Sequence, residues 1–274
     1  MFPQHLPHFA TYGSGHFFLL AGPCAVEGEQ LLMDTAGELS ELCRELEIPL
    51  VFKSSYRKAN RTHVGSFTGI GDEAALEALR RVRETFSVPV VTDIHESHEA
   101  ELAARYVDML QIPAFLCRQT ELLLAAGRTG KHVNIKKGQF VDAGAMRHAA
   151  DKVRSTGNPN VLVTDRGNLF GYHDLVVDFR NLPLMREACA APVVMDCTHA
   201  VQRPNDPSGI TGGQRRFVDT IARAAVAVGV DGLFVETHPR PDQALSDAAN
   251  MVPLGELRPL LEKWVRIHRA AQAD

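Results

Sequence analysis

The chain is expected to fold as a (β/α)8 barrel, a single α/β domain, and three observations carry that expectation. Short apolar runs of β-forming residues alternate with helical stretches, eight such runs in all. The length of 274 residues is close to the ~250 typical of one such barrel. Polar residues capable of chemistry recur just past the ends of the apolar runs, where parallel α/β folds bind their ligands. A doubly wound open sheet has the same alternation and is the competing architecture.

Taken in order, the first strand is His16-Phe-Phe-Leu-Leu-Ala21. Residues 29–46 follow, with Leu32, Ala36, Leu39, Cys43 and Leu46 on one helical face. Pro49 to Lys53 is the second strand, and a helix from about Asp72 puts Leu76, Leu79, Val82 and Phe86 on one side. Val88 to Asp93, a helix from His98, and Val107 to Gln111 continue the alternation. A helix near Thr120 to Ala126 leads to His132–Lys136, and one near Ala143 to Val153 leads to Asn160–Thr164. The last strands are Val193–Asp196 and Gly232–Glu236, with Phe217, Ile221, Ala225 and Val228 marking the helix between them. Leu175-Val-Val-Asp178 also has strand character, but lies where an elaborated loop would fall. Residues 1–15 form an N-terminal extension to a barrel of residues 16–274. Arg203 to Gln214, rich in Pro and Gly, follows a strand's carboxyl end and is placed to act as a lid.

A hydrophobic share of 45% and a charged share of 23% fit a soluble globular enzyme. A net charge of −4 without a basic block argues against a nucleic-acid partner. No apolar run reaches the ~18 residues that a membrane span needs, and the N-terminus lacks a signal peptide's layout. Five cysteines, an odd number without tight pairing, are expected to be free thiols in a reducing cytoplasm.

Four residues past strand ends have the chemistry of one metal site: Cys24, His199, Glu236 and Asp247. Singly, each is as readily a core or salt-bridge residue. Together, a thiolate, an imidazole and two carboxylates argue against magnesium or calcium. They favour zinc or iron(II), with manganese or cobalt also compatible. Spacing leaves the histidines at 63, 95, 173 and 238 open as alternatives. Cations collect at the same ends: Lys53, Lys58 and Arg61 after the second strand, Arg118 after the fourth, Lys136 and Lys137 at the fifth, Arg166 after the sixth. In an acidic chain that placement points to a bound phosphate or carboxylate.

Local strings extend this. Gly22-Pro-Cys-Ala-Val-Glu27, Phe52-Lys-Ser-Ser-Tyr-Arg-Lys-Ala-Asn-Arg61, Thr92-Asp-Ile-His-Glu96, Gln111-Ile-Pro-Ala-Phe-Leu-Cys-Arg-Gln119, Asn134-Ile-Lys-Lys-Gly-Gln-Phe140, Asp196-Cys-Thr-His-Ala-Val-Gln202 and Glu236-Thr-His-Pro239 with Ala244-Leu-Ser-Asp247 closely resemble the 3-deoxy-D-manno-octulosonate-8-phosphate synthase family. The resemblance runs from about Gly22 to the C-terminal helix. It implies a (β/α)8 barrel, usually a homotetramer, that condenses phosphoenolpyruvate with D-arabinose 5-phosphate for bacterial lipopolysaccharide. Cys24 matches the metal-dependent branch of that family; the other branch carries Asn there.

By the same resemblance the metal ligands are Cys24, His199, Glu236 and Asp247. Lys136 and Arg166 clamp the phosphate of phosphoenolpyruvate, and Lys58 lies near its carboxylate. Asn60, Arg61 and Thr62 receive arabinose 5-phosphate, with Arg118 reaching across from a neighbouring subunit. Asp93, Gln111 and Gln202 line the cavity, and Lys53 joins the substrate-binding set. The implied catalytic residues are Lys58, His199, Asp93 and Asp247. The family commonly has Ser where Thr62 stands, so the hydroxyl is kept but the sugar phosphate is expected to be more crowded; it has Ala and Ser where Cys197 and Ala200 stand, which is expected to alter packing rather than ligation. The related heptulosonate-7-phosphate synthases, which use erythrose 4-phosphate, resemble Lys-Pro-Arg-Thr where this chain has Lys58-Ala-Asn-Arg61. A barrel that binds sugar phosphate without turnover is the reading from another class.

Overall fold

The structure, a computed structural model, describes residues 17–60, 63–170, 174–203 and 212–272. Eight parallel strands alternate with eight helices: β1 (Phe18–Gly22), α1 (Glu29–Glu45), β2 (Leu50–Lys53), α2 (Asp72–Phe86), β3 (Val90–Asp93), α3 (Glu99–Ala104), β4 (Met109–Ile112), α4 (Thr120–Arg128), β5 (His132–Lys136), α5 (Met146–Arg154), β6 (Val161–Asp165), α6 (Asn181–Cys189), β7 (Val193–Asp196), α7 (Val218–Val228), β8 (Gly232–His238) and α8 (Leu257–Gln272). Each strand pairs with the next, and β1 pairs in parallel with β8 from Phe18↔Gly232 to Gly22↔Glu236. The sheet is therefore a closed barrel, and the open-sheet alternative falls.

Two apolar cores follow from the two-residue period of the strands. Phe18, Leu20, Val51, Val91, Met109, Leu162, Val194 and Phe234 fill the barrel interior. Residues of opposite parity, such as Leu19, Phe52, Leu110, Val133 and Val163, pack outward against the helices. The helices dock by their apolar stripes; α1 buries Leu32, Ala36, Leu39 and Cys43, as its spacing predicts.

Interior parity also aims the site. Lys53, Asp93, Gln111, Asp196 and Glu236 each stand two residues beyond an interior apolar residue, so they project into the barrel's carboxyl-terminal mouth. Gly22 closes β1 at φ 154°, and a Cβ there would lie 2.1 Å from the Lys53 carbonyl oxygen. Only glycine allows β1 and β2 to approach this closely at the rim.

One expected helix face changes, and two segments that the sequence left open are placed. Leu175 to Asp178 is not a barrel strand: among the described residues its ladder contact is an isolated antiparallel bridge, Asn168↔Val176, inside the β6–α6 connection. The buried stripe of α7 is Val218, Ala222, Ala225 and Val226, whereas Phe217 and Val228 stand exposed because the helix is rotated from the expected face. Arg203 to Gln214 begins and ends in a two-strand antiparallel hairpin stem, Gln202↔Gly213 and Arg203↔Gly212. The residues between, 204–211, lie outside the described residues, as do the expected N-terminal extension, Arg61, Thr62 and His173.

Candidate active site

The rim residues surround a cavity at the carboxyl ends of the strands, lined among others by Cys24, Lys53, Lys58, Asn60, Asp93, Gln111, Lys136, Arg166, His199, Gln202 and Asp247. Arg118 is exposed and outside this cavity. Lys137 leaves the expected anion-binding group. It has outward parity, is fully buried, and its ammonium sits 3.2 Å from Asp165 while donating to the Val141 and Gly167 carbonyls and to Asn168. Its charge is used to pin the β5 and β6 loops together.

Cys24 is placed by the chain beyond β1 running alongside the chain beyond β2. Ala25 bridges Ser55, and the Ser55 N–H donates to the Cys24 carbonyl at 3.2 Å. His199 begins a short 3-10 turn after β7. Its N–H donates to Asp196 Oδ1 and its Nδ1 lies 2.8 Å from Asp196 Oδ2. Nε2 is thereby turned toward Glu236 Oε1 at 3.6 Å and Asp247 Oδ2 at 3.7 Å. A carboxylate that holds the far nitrogen of an imidazole in this way orients the near nitrogen for a metal. Asp247 adopts the left-handed conformation at φ 51°, rare outside glycine but tolerated by Asp.

Donor atoms of Cys24, Glu236 and Asp247 all lie within 4.8 Å of one another. Glu236 is completely buried; its Oε1 accepts from Lys53 at 2.6 Å, and its Oε2 has no hydrogen-bond partner. A buried carboxylate oxygen without a partner, beside a thiol, an imidazole and a second carboxylate, suits a divalent transition ion. The electrostatics agree. Burial, then the Glu236 charge, pushes the Cys24 thiol up to about 12. Burial also opposes ionisation of Glu236, but Lys53, then His199, Lys58 and Lys136, hold it down at about 2. The pocket thus keeps carboxylate charge and resists a thiolate until another positive charge arrives.

The cationic side is equally ordered. Lys136 donates to Asp196 at 2.6 Å and lies 3.6 Å from the centre of the Phe234 ring. Burial disfavours the Asp196 carboxylate, yet His199, Lys136 and Arg166 keep its pKa well below the usual range. Arg166 donates through one nitrogen to the His199 carbonyl at 2.9 Å and to Gln202 Oε1 at 2.7 Å, while its buried Nε has no partner. Lys58 donates to Ser55 at 3.1 Å. Burial pulls the Lys58 pKa down, but Cys24, Glu236 and Asp93 more than reverse this and raise it.

A polar relay crosses the cavity floor. Thr164 donates to Asn134 at 2.7 Å, Asn134 to Gln111 at 3.0 Å, and Gln111 to Asp93 at 2.6 Å, while Ser55 donates to the other oxygen of Asp93. Sequence reasoning assigned no role to Asp196, Asn134, Thr164, Ser55 or Asn250. The first three share interior parity with Val194 and Leu162 or with Lys136, so strand periodicity was the signal available. Cys197 and Ala200 are both buried beside the His199 turn, as packing residues would be.

The profile of the DAHP synthetase I family matches residues 6–273. A 2-dehydro-3-deoxyphosphooctonate aldolase of Methylobacterium radiotolerans is 51% identical over 99% of this chain and 93% of its own. Proteins of the same name from Granulibacter bethesdensis, 52% identical over 90% of this chain and 87% of theirs, and from Francisella tularensis subsp. holarctica, 51% over 93% of each, are similarly close.

Proposed function

The chain belongs to the DAHP synthetase I family, and from that premise we propose that it performs the reaction of its 2-dehydro-3-deoxyphosphooctonate aldolase relatives. It condenses phosphoenolpyruvate, D-arabinose 5-phosphate and water to 3-deoxy-D-manno-octulosonate 8-phosphate and inorganic phosphate. The observation that carries this is one cavity whose lining sets Lys58, Lys136 and Arg166 beside Cys24, His199 and Asp247, with the buried Glu236 carboxylate within 4.8 Å of the Cys24 and Asp247 donor atoms.

The chemistry assigns the roles. C3 of phosphoenolpyruvate attacks the sugar aldehyde, water adds at C2, and the resulting hemiketal phosphate expels phosphate. Two anionic substrates must lie side by side, which their mutual repulsion opposes unless fixed cations hold them. Lys136 and the unpartnered Nε of Arg166 receive the phosphate of phosphoenolpyruvate. Lys58, kept as an ammonium by its carboxylate neighbours, faces the substrate carboxylate and donates toward the aldehyde oxygen as it gains charge. Asp93, held by Gln111 and Ser55, accepts hydroxyls of the sugar. Cys24, His199, Glu236 and Asp247 would hold a divalent transition ion, which would supply Lewis-acid positive charge to the reaction. Zinc or iron(II) fits this donor set best, with manganese or cobalt compatible.

Asn60 lies at the cavity edge, toward which the resemblance also brings Arg61 and Thr62 for the sugar phosphate. Arg118 acts in a neighbouring subunit of a homotetramer, consistent with its exposed position outside its own cavity. The enzyme works in the cytoplasm on small molecules; among the described residues no helix is long and apolar enough to cross a membrane.

Phosphate release with each aldose phosphate tests the reading. Arabinose 5-phosphate is expected to give the higher specificity constant, and a higher value for erythrose 4-phosphate overturns the assignment. Arg61→Ala is expected to raise the Michaelis constant for the sugar phosphate more than that for phosphoenolpyruvate; an equal effect on both removes Arg61 from that role.

A further inference from the structure

The geometry points to Gln202 as a positioning residue that couples anion binding at Arg166 to cation binding at Asp247. This rests on the metal and phosphate assignments proposed above. Gln202 opens the hairpin stem after β7. Its Oε1 accepts from Arg166 at 2.7 Å and its Nε2 donates to Asp247 Oδ2 at 2.9 Å. The amide can sit only this way round. A guanidinium offers donors alone and a carboxylate acceptors alone, so a reversed amide would lose both bonds.

The stem grips Asp247 from a second side. Asn250, fully buried, donates to Asp247 Oδ1 at 2.7 Å. It rests against the opposite strand of the stem, where a Cβ on Gly213 would lie 1.6 Å from Asn250 Oδ1. Asp247 is thus held by two amides, and only one of them also touches Arg166. When an anion draws Arg166 into a new position, Gln202 carries that shift to Asp247. A cation that fixes Asp247 in turn fixes the acceptor that aims Arg166. By linkage the two affinities must change by the same factor.

Cobalt(II) titrations of the chelator-stripped protein, with and without phosphoenolpyruvate, test this, because the thiolate-to-cobalt absorption reports binding without turnover. In the unmodified protein phosphoenolpyruvate is expected to raise cobalt affinity about 5-fold or more, the usual scale of such coupling. In Gln202→Met, which keeps side-chain length but has neither donor nor acceptor strength, the enhancement is expected to shrink below about 2-fold, with both separate affinities reduced. Asn250→Ala, which leaves the Gln202 bridge between Arg166 and Asp247 in place, is expected to weaken cobalt binding and to keep the enhancement. Unchanged coupling in Gln202→Met, or no coupling in the unmodified protein despite cobalt binding, overturns the inference. Absence of cobalt binding in the unmodified protein is a different result: it defeats the metal assignment itself and the inference with it. Should Gln202→Met fail to fold, Gln202→Glu decides: it keeps an acceptor for Arg166 but repels Asp247, so the enhancement is expected to fall below about 2-fold, and a retained enhancement overturns the inference.

Discussion

Lys53 Nζ lies 2.6 Å from Glu236 Oε1, and both side chains are sealed from solvent at 1% and 0% exposure. The pair spans the β2 and β8 rims on either side of β1. Because Lys53 also donates to the Cys24 carbonyl at 3.2 Å, it supports the proposed metal ligands. Lys53→Met would leave the Glu236 charge buried without its nearest partner. A loss of ~3–5 kcal/mol in unfolding free energy is expected, measured by urea denaturation. A loss under ~1 kcal/mol, the range of exposed pairs, would mean that Glu236 is satisfied by other groups.

Asp196 divides its two oxygens between the His199 backbone N–H and ring, and Lys136 shares the second oxygen. Asp196→Asn keeps the shape but removes the charge that fixes the imidazole. Metal affinity is expected to fall ~10–100-fold, read by competition with a chromophoric chelator. Native affinity in this variant would show that the His199 backbone alone aims the ring.

Metal removal should abolish turnover. A strong chelator is expected to inactivate the enzyme, and a divalent transition ion to restore it. Cys24→Ala and His199→Ala are each expected to lose bound metal while retaining native circular dichroism, since neither side chain belongs to the apolar interior of the barrel. Cys24→Asn replaces a soft ligand by a weak neutral one, and any activity it keeps should resist chelation. Full resistance of the unmodified enzyme would exclude the metal-dependent branch while leaving the condensation chemistry intact.

On the outer shell of the barrel, Asp219 of α7 accepts from the Trp264 indole of α8 at 2.9 Å and from Lys263 at 3.2 Å. Burial disfavours its charge, but the Trp264 and Lys263 hydrogen bonds prevail and hold its pKa below the ordinary value. A carboxylate depressed on folding stabilises above its unfolded pKa of ~3.9 and loses that contribution as pH falls through the folded value. Asp219→Ala is therefore expected to cost about 1.5 kcal/mol at pH 7, a gap that narrows as the pH drops below ~3.9. A gap independent of pH would assign the effect to packing around Trp264.

Sequence alone carried the strand count, the barrel class and the chemical types at the strand ends. Each of these is local: apolar runs, a two-residue period, and motifs of contiguous residues. Lys136 and Lys137 show where local reasoning stopped. They are adjacent and alike, yet one faces the cavity and the other pins two loops, because interior parity admits one and not its neighbour. The helix face of α7 was misjudged for a related reason, since burial there depends on what packs opposite. Tertiary structure alone decided which ends meet. Closure of β1 on β8 sets Gly22 beside Glu236 and so brings Cys24 to a carboxylate more than two hundred positions away. It also set Lys53 against Glu236, and made Gln202 a bridge between Arg166 and Asp247. Such pairings follow from barrel register, which the packing of the whole shell determines and no single segment encodes.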